Sequence, residues 1–272
     1  MKEWLQNRTE CQNFETDCME VRFPFSLEGK TILVTGASSG IGLSVCRAVV
    51  ASGGSVIGVA RREDCLKEME NELGAGNASY IKADLSLDAD IEDITLRMPE
   101  VNGLVYAAGI TRLAPLKFIK RHDLEEVMNV NYFSMVLLLA QVVRHKKIKR
   151  NANSSVVLIS SVAQQVGTKS SLLYTGSKGA MSAGSRVIAN ELSSQKIRVN
   201  TIEPGMVQTA MASEMEDMLS KEVVEKDMKQ YPLGYGIPED VANAAVFLLS
   251  DASRWMTGQS ITLDGGRYKL LD

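Results

Sequence analysis

The chain has 272 residues, 45% hydrophobic and 23% charged, the make-up of an ordinary globular protein with enough apolar mass to bury a substantial core. A net charge of -3 excludes the broad basic footprint that tracks a phosphate backbone, so no nucleic-acid partner is expected. The four cysteines (Cys11, Cys18, Cys46, Cys65) lack metal-ligand spacing, and a chain this long needs no disulfide staples; they read as reduced thiols in a cytoplasmic protein without a metal site.

Residues 1–25 mix acidic and basic side chains without an apolar run, so they read as an N-terminal extension, flexible or packed on a partner, and not as a signal peptide. No stretch reaches ~18 uninterrupted apolar residues, and the longest, Met135 to Val143, falls far short of a membrane span. From Lys30 onward, short β-branched runs alternate with longer amphipathic segments. Strands are predicted over 31–35, 55–60, 78–82, 103–108, 155–161, 197–203 and 260–264, and helices over 41–52, 62–73, 88–97, 122–147, 172–194 and 239–250. This alternation predicts an α/β fold of one domain, 26–272, with a doubly wound, seven-stranded parallel sheet covered by helices on both faces. Residues 206–235 form a Met-rich insertion before the last helix, and loops of that length in a compact domain tend to be binding lids.

The stretch "TILVTGASSGIGLSV" sets Gly36, Gly40 and Gly42 between the first strand and the first helix. Gly36 permits a sharp turn, Gly40 lets the backbone approach a pyrophosphate, and Gly42 lets the helix pack closely on the sheet. Backbone amides around Ile41, at the helix N-terminus, meet the phosphates with partial positive charge, so this is a dinucleotide site of the Rossmann kind. At the end of the second strand, Ala60 stands where an acid would hold a free ribose 2′-hydroxyl, and Arg61 and Arg62 follow. Guanidinium groups suit a 2′-phosphate, Ser38 and Ser39 add hydroxyl donors, and the favoured cofactor is NADP(H).

Together with "DLS" at 84–86, Asn131 in "NVNYFS", Ser161 in "ISSVA", Tyr174 and Lys178 in "YTGSK", "EPGMVQT" at 203–209 and the ending "TGQSITLDGG", the chain resembles the short-chain dehydrogenase/reductase family from about Ser26 onward. The resemblance implies that Tyr174 is the general acid/base, Ser161 a partner of the substrate oxygen, Lys178 the pKa modifier and ribose ligand, and Asn131 the anchor of a proton-conducting water. It also implies that Asp84 and Leu85 contact the adenine, that Ala108 and Gly109 lie along the cofactor, and that Pro204, Gly205, Val207 and Thr209 hold the nicotinamide end. These roles make chemical sense: hydride addition to a carbonyl leaves an alkoxide to be protonated as it forms, and a phenol serves if a nearby ammonium stabilises its anion.

Three features depart from the family pattern. Tyr106 to Gly109 read "YAAG" where two asparagines are common, Gln164 and Gln165 stand where a glycine often follows the serine and could reshape the substrate mouth, and "PLGYG" lacks the usual arginine. The overall likeness is to reductases of 3-oxoacyl thioesters and to sugar or polyol dehydrogenases. The basic run "RHKKIKR" at 144–150 could steer an acidic acyl carrier protein, although such a run at a helix C-terminus is more often dipole compensation. A different class of reading, a non-catalytic NADP(H)-binding regulator, has no need of Asn131, Ser161, Tyr174 and Lys178 together. Long apolar faces on the helices at 122–147 and 172–194 suit either subunit contacts or burial within one chain, and the resemblance implies a homodimer or homotetramer built on them.

Overall fold

A computed structural model describes residues 23–216 and 221–267. The N-terminal extension therefore lies mostly outside the described residues; of it, Pro24 accepts a hydrogen bond from Ala252 and Phe25 packs against Phe247.

Seven parallel strands form one sheet in the order β3-β2-β1-β4-β5-β6-β7: β1 (Thr31–Thr35), β2 (Ser55–Ala60), β3 (Ala78–Lys82), β4 (Gly103–Tyr106), β5 (Ser154–Ile159), β6 (Ile197–Pro204) and β7 (Ser260–Leu263). Strand order reverses between β1 and β4, which opens a crevice at their C-terminal ends, the place where such sheets bind ligands. Alternation along each strand feeds two cores. Leu33, Leu104, Val156 and Val199 face one layer of helices, and Ile32, Val34, Val105, Val157 and Ile202 face the other. The first layer contains α3 (Asp88–Arg97), α5 (Ser134–Arg144) and α6 (Leu172–Ser193), and the second contains α1 (Gly40–Ala51), α2 (Glu63–Leu73) and α9 (Pro238–Leu249).

One helix differs from its sequence expectation. In place of an unbroken α-helix over 122–147, α4 (Arg121–Met128) runs through a π-helical turn at Asn129–Phe133 into α5. The buried side chains Asp123, Val127, Asn131 and Met135 recur every four residues. At 100° per residue, that spacing drifts about 40° per step in an α-helix. The wider π turn absorbs the drift and keeps Asn131 facing inward, and the Asn129 carbonyl accepts from both the amide and the Oγ of Ser134, the latter at 2.6 Å.

The same continuous helix, Arg121–Arg144, is long and apolar enough by composition to cross a membrane, although charged and polar residues interrupt its apolar runs. One face of it packs on the sheet, where its own Val127, Met135, Leu138, Leu139 and Val142 are buried. Residues 206–235 contribute two short helices, α7 (Ala210–Glu216) and α8 (Lys221–Met228).

Candidate active site

The glycine loop turns because Gly36 sits at φ 70°, a left-handed conformation open to glycine. Gly42 is held by proximity instead: a Cβ there would come within 2.3 Å of the Gly36 carbonyl oxygen, so no larger residue lets α1 start so close to β1. Ser39 caps α1 in extended geometry, which leaves the first amides of the helix directed into the crevice. Arg62 already bridges this loop, donating to Ser38 Oγ at 3.0 Å, Ser39 Oγ at 2.7 Å and the Ser38 carbonyl at 3.3 Å. Arg61 is largely exposed and stands 4.0 Å from the Asp84 carboxylate. Asp84 in turn receives both the amide and the hydroxyl of Ser86.

Tyr174 and Lys178 lie one turn apart on α6, which places both against the end of β5. Lys178 is buried and donates to the Ile159 carbonyl at 2.7 Å, with its Nζ 5.7 Å from the centre of the Tyr174 ring. Burial lowers the lysine to about 8. Burial raises the Tyr174 phenol, and a hydrogen bond with the Ser161 hydroxyl opposes that rise. Ser161 leaves β5 in extended geometry and accepts from the Ala163 amide at 3.1 Å.

Asn131 reaches the same region from the other side. Its Oδ1 accepts from the Ile110 amide at 2.8 Å, and its Nδ2 donates to the Ile110 carbonyl at 3.0 Å and to Ser177 Oγ at 2.8 Å. A Cβ on Gly109 would meet Asn131 Oδ1 at 3.2 Å and Lys178 Nζ at 3.4 Å, so this glycine keeps open the space between them. The Tyr106 side chain, which stands in a family asparagine position, is buried and donates to the Val130 carbonyl at 2.7 Å, while Thr35 Oγ1 takes the amides of Ala107 and Ala108.

One cavity of about 900 Å³ unites these groups. Its lining includes Gly36, Ser38, Ser39, Gly40, Ile41, Gly42, Arg61, Arg62, Asp84, Leu85, Ala108, Gly109, Ser161, Tyr174, Lys178, Pro204, Gly205, Val207 and Thr209. Asn131 does not line the cavity; it is hydrogen-bonded to Ile110, which does, and to Ser177. The donor set fits a dinucleotide: free helix amides and two guanidinium groups line one end, and buried Thr111 Oγ1, with no hydrogen-bond partner among the described residues, lines the wall.

Two sequence expectations about the mouth need correction. Gln164 and Gln165 do not line the cavity; their amides turn away to the Glu203 carboxylate, a stronger acceptor than solvent-facing groups offer. The basic run at 144–150 sits at the opposite end of the sheet, where Lys147 donates to the Met98 carbonyl and Lys149 to Asn102 just before β4. A six-residue strand separates the two ends by roughly 20 Å, so that run cannot dock a carrier at the mouth.

Sequence reasoning also missed the far wall. Arg267 donates to Tyr231 Oη at 2.7 Å and pairs with Asp227 at 2.7 Å, and Tyr235 Oη donates to the same carboxylate at 2.9 Å. All four line the cavity with apolar Leu113, Val162, Val166, Met206, Met211 and Val223. Nothing local marks them, because Arg267 and Asp227 are 40 residues apart.

Comparison with known proteins gives the family. A family model described as enoyl-(acyl carrier protein) reductase matches residues 36–267. The chain is 32% identical over 248 residues to the 3-oxoacyl-[acyl-carrier-protein] reductase FabG of Chlamydia pneumoniae, covering 89% of this chain and 98% of that protein. The corresponding Salmonella typhimurium protein is 32% identical over 247 residues, covering 89% and 99%. Among solved structures, a short-chain dehydrogenase/reductase family protein superposes with a TM-score of 0.81 at 28% identity, covering 90% of this chain and 100% of that one. A putative gluconate dehydrogenase from Agrobacterium tumefaciens gives 0.85 at 25% identity, covering 91% and 99%. The chain belongs to the short-chain dehydrogenase/reductase family and is an oxidoreductase of that fold.

Proposed function

We propose that the protein is a cytoplasmic, NADP(H)-dependent reductase that converts a 3-oxoacyl thioester to the 3-hydroxy form. The observation that carries this reading is the meeting of Ser161 and Tyr174 in a cavity with the glycine loop at one end and an apolar wall at the other. NADP(H) supplies the hydride when bound. Tyr174 donates its proton to the oxygen as negative charge develops there, and Ser161 offers a second hydrogen bond to the same atom. Lys178, charged below about pH 8, stabilises the phenolate that remains. The walls at Leu113, Val162, Val166 and Met211 keep water out, which strengthens each of these interactions.

The phosphorylated cofactor is supported by Arg61 and Arg62 beside the cavity, with no acid at Ala60. An acyl chain suits the apolar walls better than a polyol does, and the FabG relatives support the same class. The thiols of Cys46 and Cys65, both unpaired among the described residues, fit a reducing compartment. The test is NADPH oxidation with an acetoacetyl thioester beside a panel of keto-sugars. Turnover of the thioester is expected; turnover of keto-sugars alone would assign a sugar or polyol dehydrogenase, and binding of NADPH without turnover of any carbonyl would assign a regulator.

A further inference from the structure

Glu203 is the last residue before Pro204 and Gly205, and its side chain is buried. A buried carboxylate is normally paired with a cation, yet among the described residues it forms hydrogen bonds only with neutral donors. Gln164 Nε2 donates to Oε1, Gln165 Nε2 to Oε2, and Ser182 Oγ to Oε1 at 3.2 Å. Gln164 Nε2 also reaches Ser182 Oγ at 2.8 Å. Ser182 Oγ lies 2.7 Å from Ser160 Oγ, which donates to the Lys178 carbonyl at 3.0 Å.

We propose that Glu203 is a positioning residue whose carboxylate fixes Ser161 relative to Tyr174 and Lys178. Three elements converge on it. Gln164 and Gln165 belong to the turn that begins at Ser161, Ser182 lies one helical turn beyond Lys178 on α6, and Glu203 is the penultimate residue of β6, just before Pro204 and Gly205. Beyond its hydrogen bond with Tyr174, the Ser161 hydroxyl makes one 3.1 Å contact within its own turn and one 3.5 Å contact with the Pro204 carbonyl, neither of which ties the turn to a neighbouring side chain. The two glutamines that replace the small residue of the family pattern thus have a function, because they are the arms by which the carboxylate grips the serine turn. A neutral apolar residue at 203 would fill the same volume without the desolvation cost of an ionised group, so packing alone does not call for a glutamate there.

This inference rests on the proposed reductase activity, and its test separates the two. In the cofactor-free protein, Glu203→Ala is expected to speed amide hydrogen exchange across residues 162–168, a readout that needs no substrate. With an acetoacetyl thioester, kcat per NADPH-binding site is expected to fall by at least about tenfold, while the Kd for NADPH stays within about twofold. Glu203→Gln should restore most of the rate, since its amide still accepts from Gln164 and exposed Gln165 can turn its own oxygen inward. If Glu203→Ala fails to fold, the Gln164→Ala/Gln165→Ala variant, which touches only the arms, is expected to show the same two losses. Unchanged exchange across 162–168, or an unchanged kcat per binding site in an active enzyme, would overturn the proposal. A wild-type protein that reduces no carbonyl would instead refute the reductase reading and leave the exchange measurement to decide the clamp.

Discussion

Lys178 shows how burial adjusts a single residue for chemistry. Its ammonium is enclosed by Ile159 and α6, and burial lowers its pKa from 10.5 to about 8 in the cofactor-free protein. Between those values the unfolded chain holds more protons than the folded one, so this group's contribution to stability rises with pH through that window. Below about pH 8 both states carry the charge, and the cost of burying it is fully present. We therefore expect chemical denaturation of wild type and Lys178→Met, measured from pH 7 to 10.5, to show the wild type gaining stability relative to the variant above about pH 8. A constant difference would mean that the lysine titrates normally. That Tyr174 and Lys178 lie one turn apart on a helix was legible in the sequence, and the roles proposed for them rest on the resemblance that the whole set of motifs carries; the burial that shifts their pKa values was not legible.

At the scale of elements, the strand-turn-helix unit from Thr31 to Ala51 was readable because each step has a local cause: a β-branched run, a glycine at positive φ, and a helix start that excludes a Cβ. The β2 end was also readable as a charge pattern, and the structure adds that Arg62 is already tied to Ser38 and Ser39 whereas Arg61 is exposed. We propose that both guanidinium groups meet a 2′-phosphate. Removing a charge-assisted hydrogen bond costs about 1.5–3 kcal/mol, so Arg61→Ala and Arg62→Ala should each weaken NADPH binding roughly ten- to hundredfold with little effect on NADH. Equal losses for both cofactors, in fluorescence titrations, would remove the argument for a phosphorylated cofactor. The π turn was hidden because hydrophobic periodicity over 122–147 does not distinguish a continuous α-helix from one with a widened turn. The networks around Glu203 and Arg267 were hidden because their partners are far apart in the chain and only the folded sheet brings them together.

For the whole molecule, the seven-strand alternation predicted the sheet and both helical layers, and observed strand ends lie within two residues of the expected ones. What alternation could not supply was the end of the sheet at which a surface feature falls. The run at 144–150 reads as a docking patch in one dimension and lies at the wrong end in three. Phe133, Val136 and Leu137 on the π turn and α5, with Val187 on α6, remain exposed on a single chain. All four belong to helices on the same side of the sheet, and we propose that they form the contact between copies of this chain. Analytical ultracentrifugation should give a multiple of the chain mass for wild type and a smaller assembly for Leu137→Glu/Val187→Glu; a monomeric wild type would contradict this.

The account as a whole depends on Tyr174 being the proton donor in a cavity that binds the cofactor independently of it. Its most direct test compares wild type with Tyr174→Phe, which removes only the hydroxyl, by following NADPH oxidation with a thioester substrate and NADPH binding by fluorescence. Loss of reduction by about 10²-fold or more is predicted, with NADPH affinity preserved within a few fold. Reduction at wild-type rate by the phenylalanine variant would contradict the account.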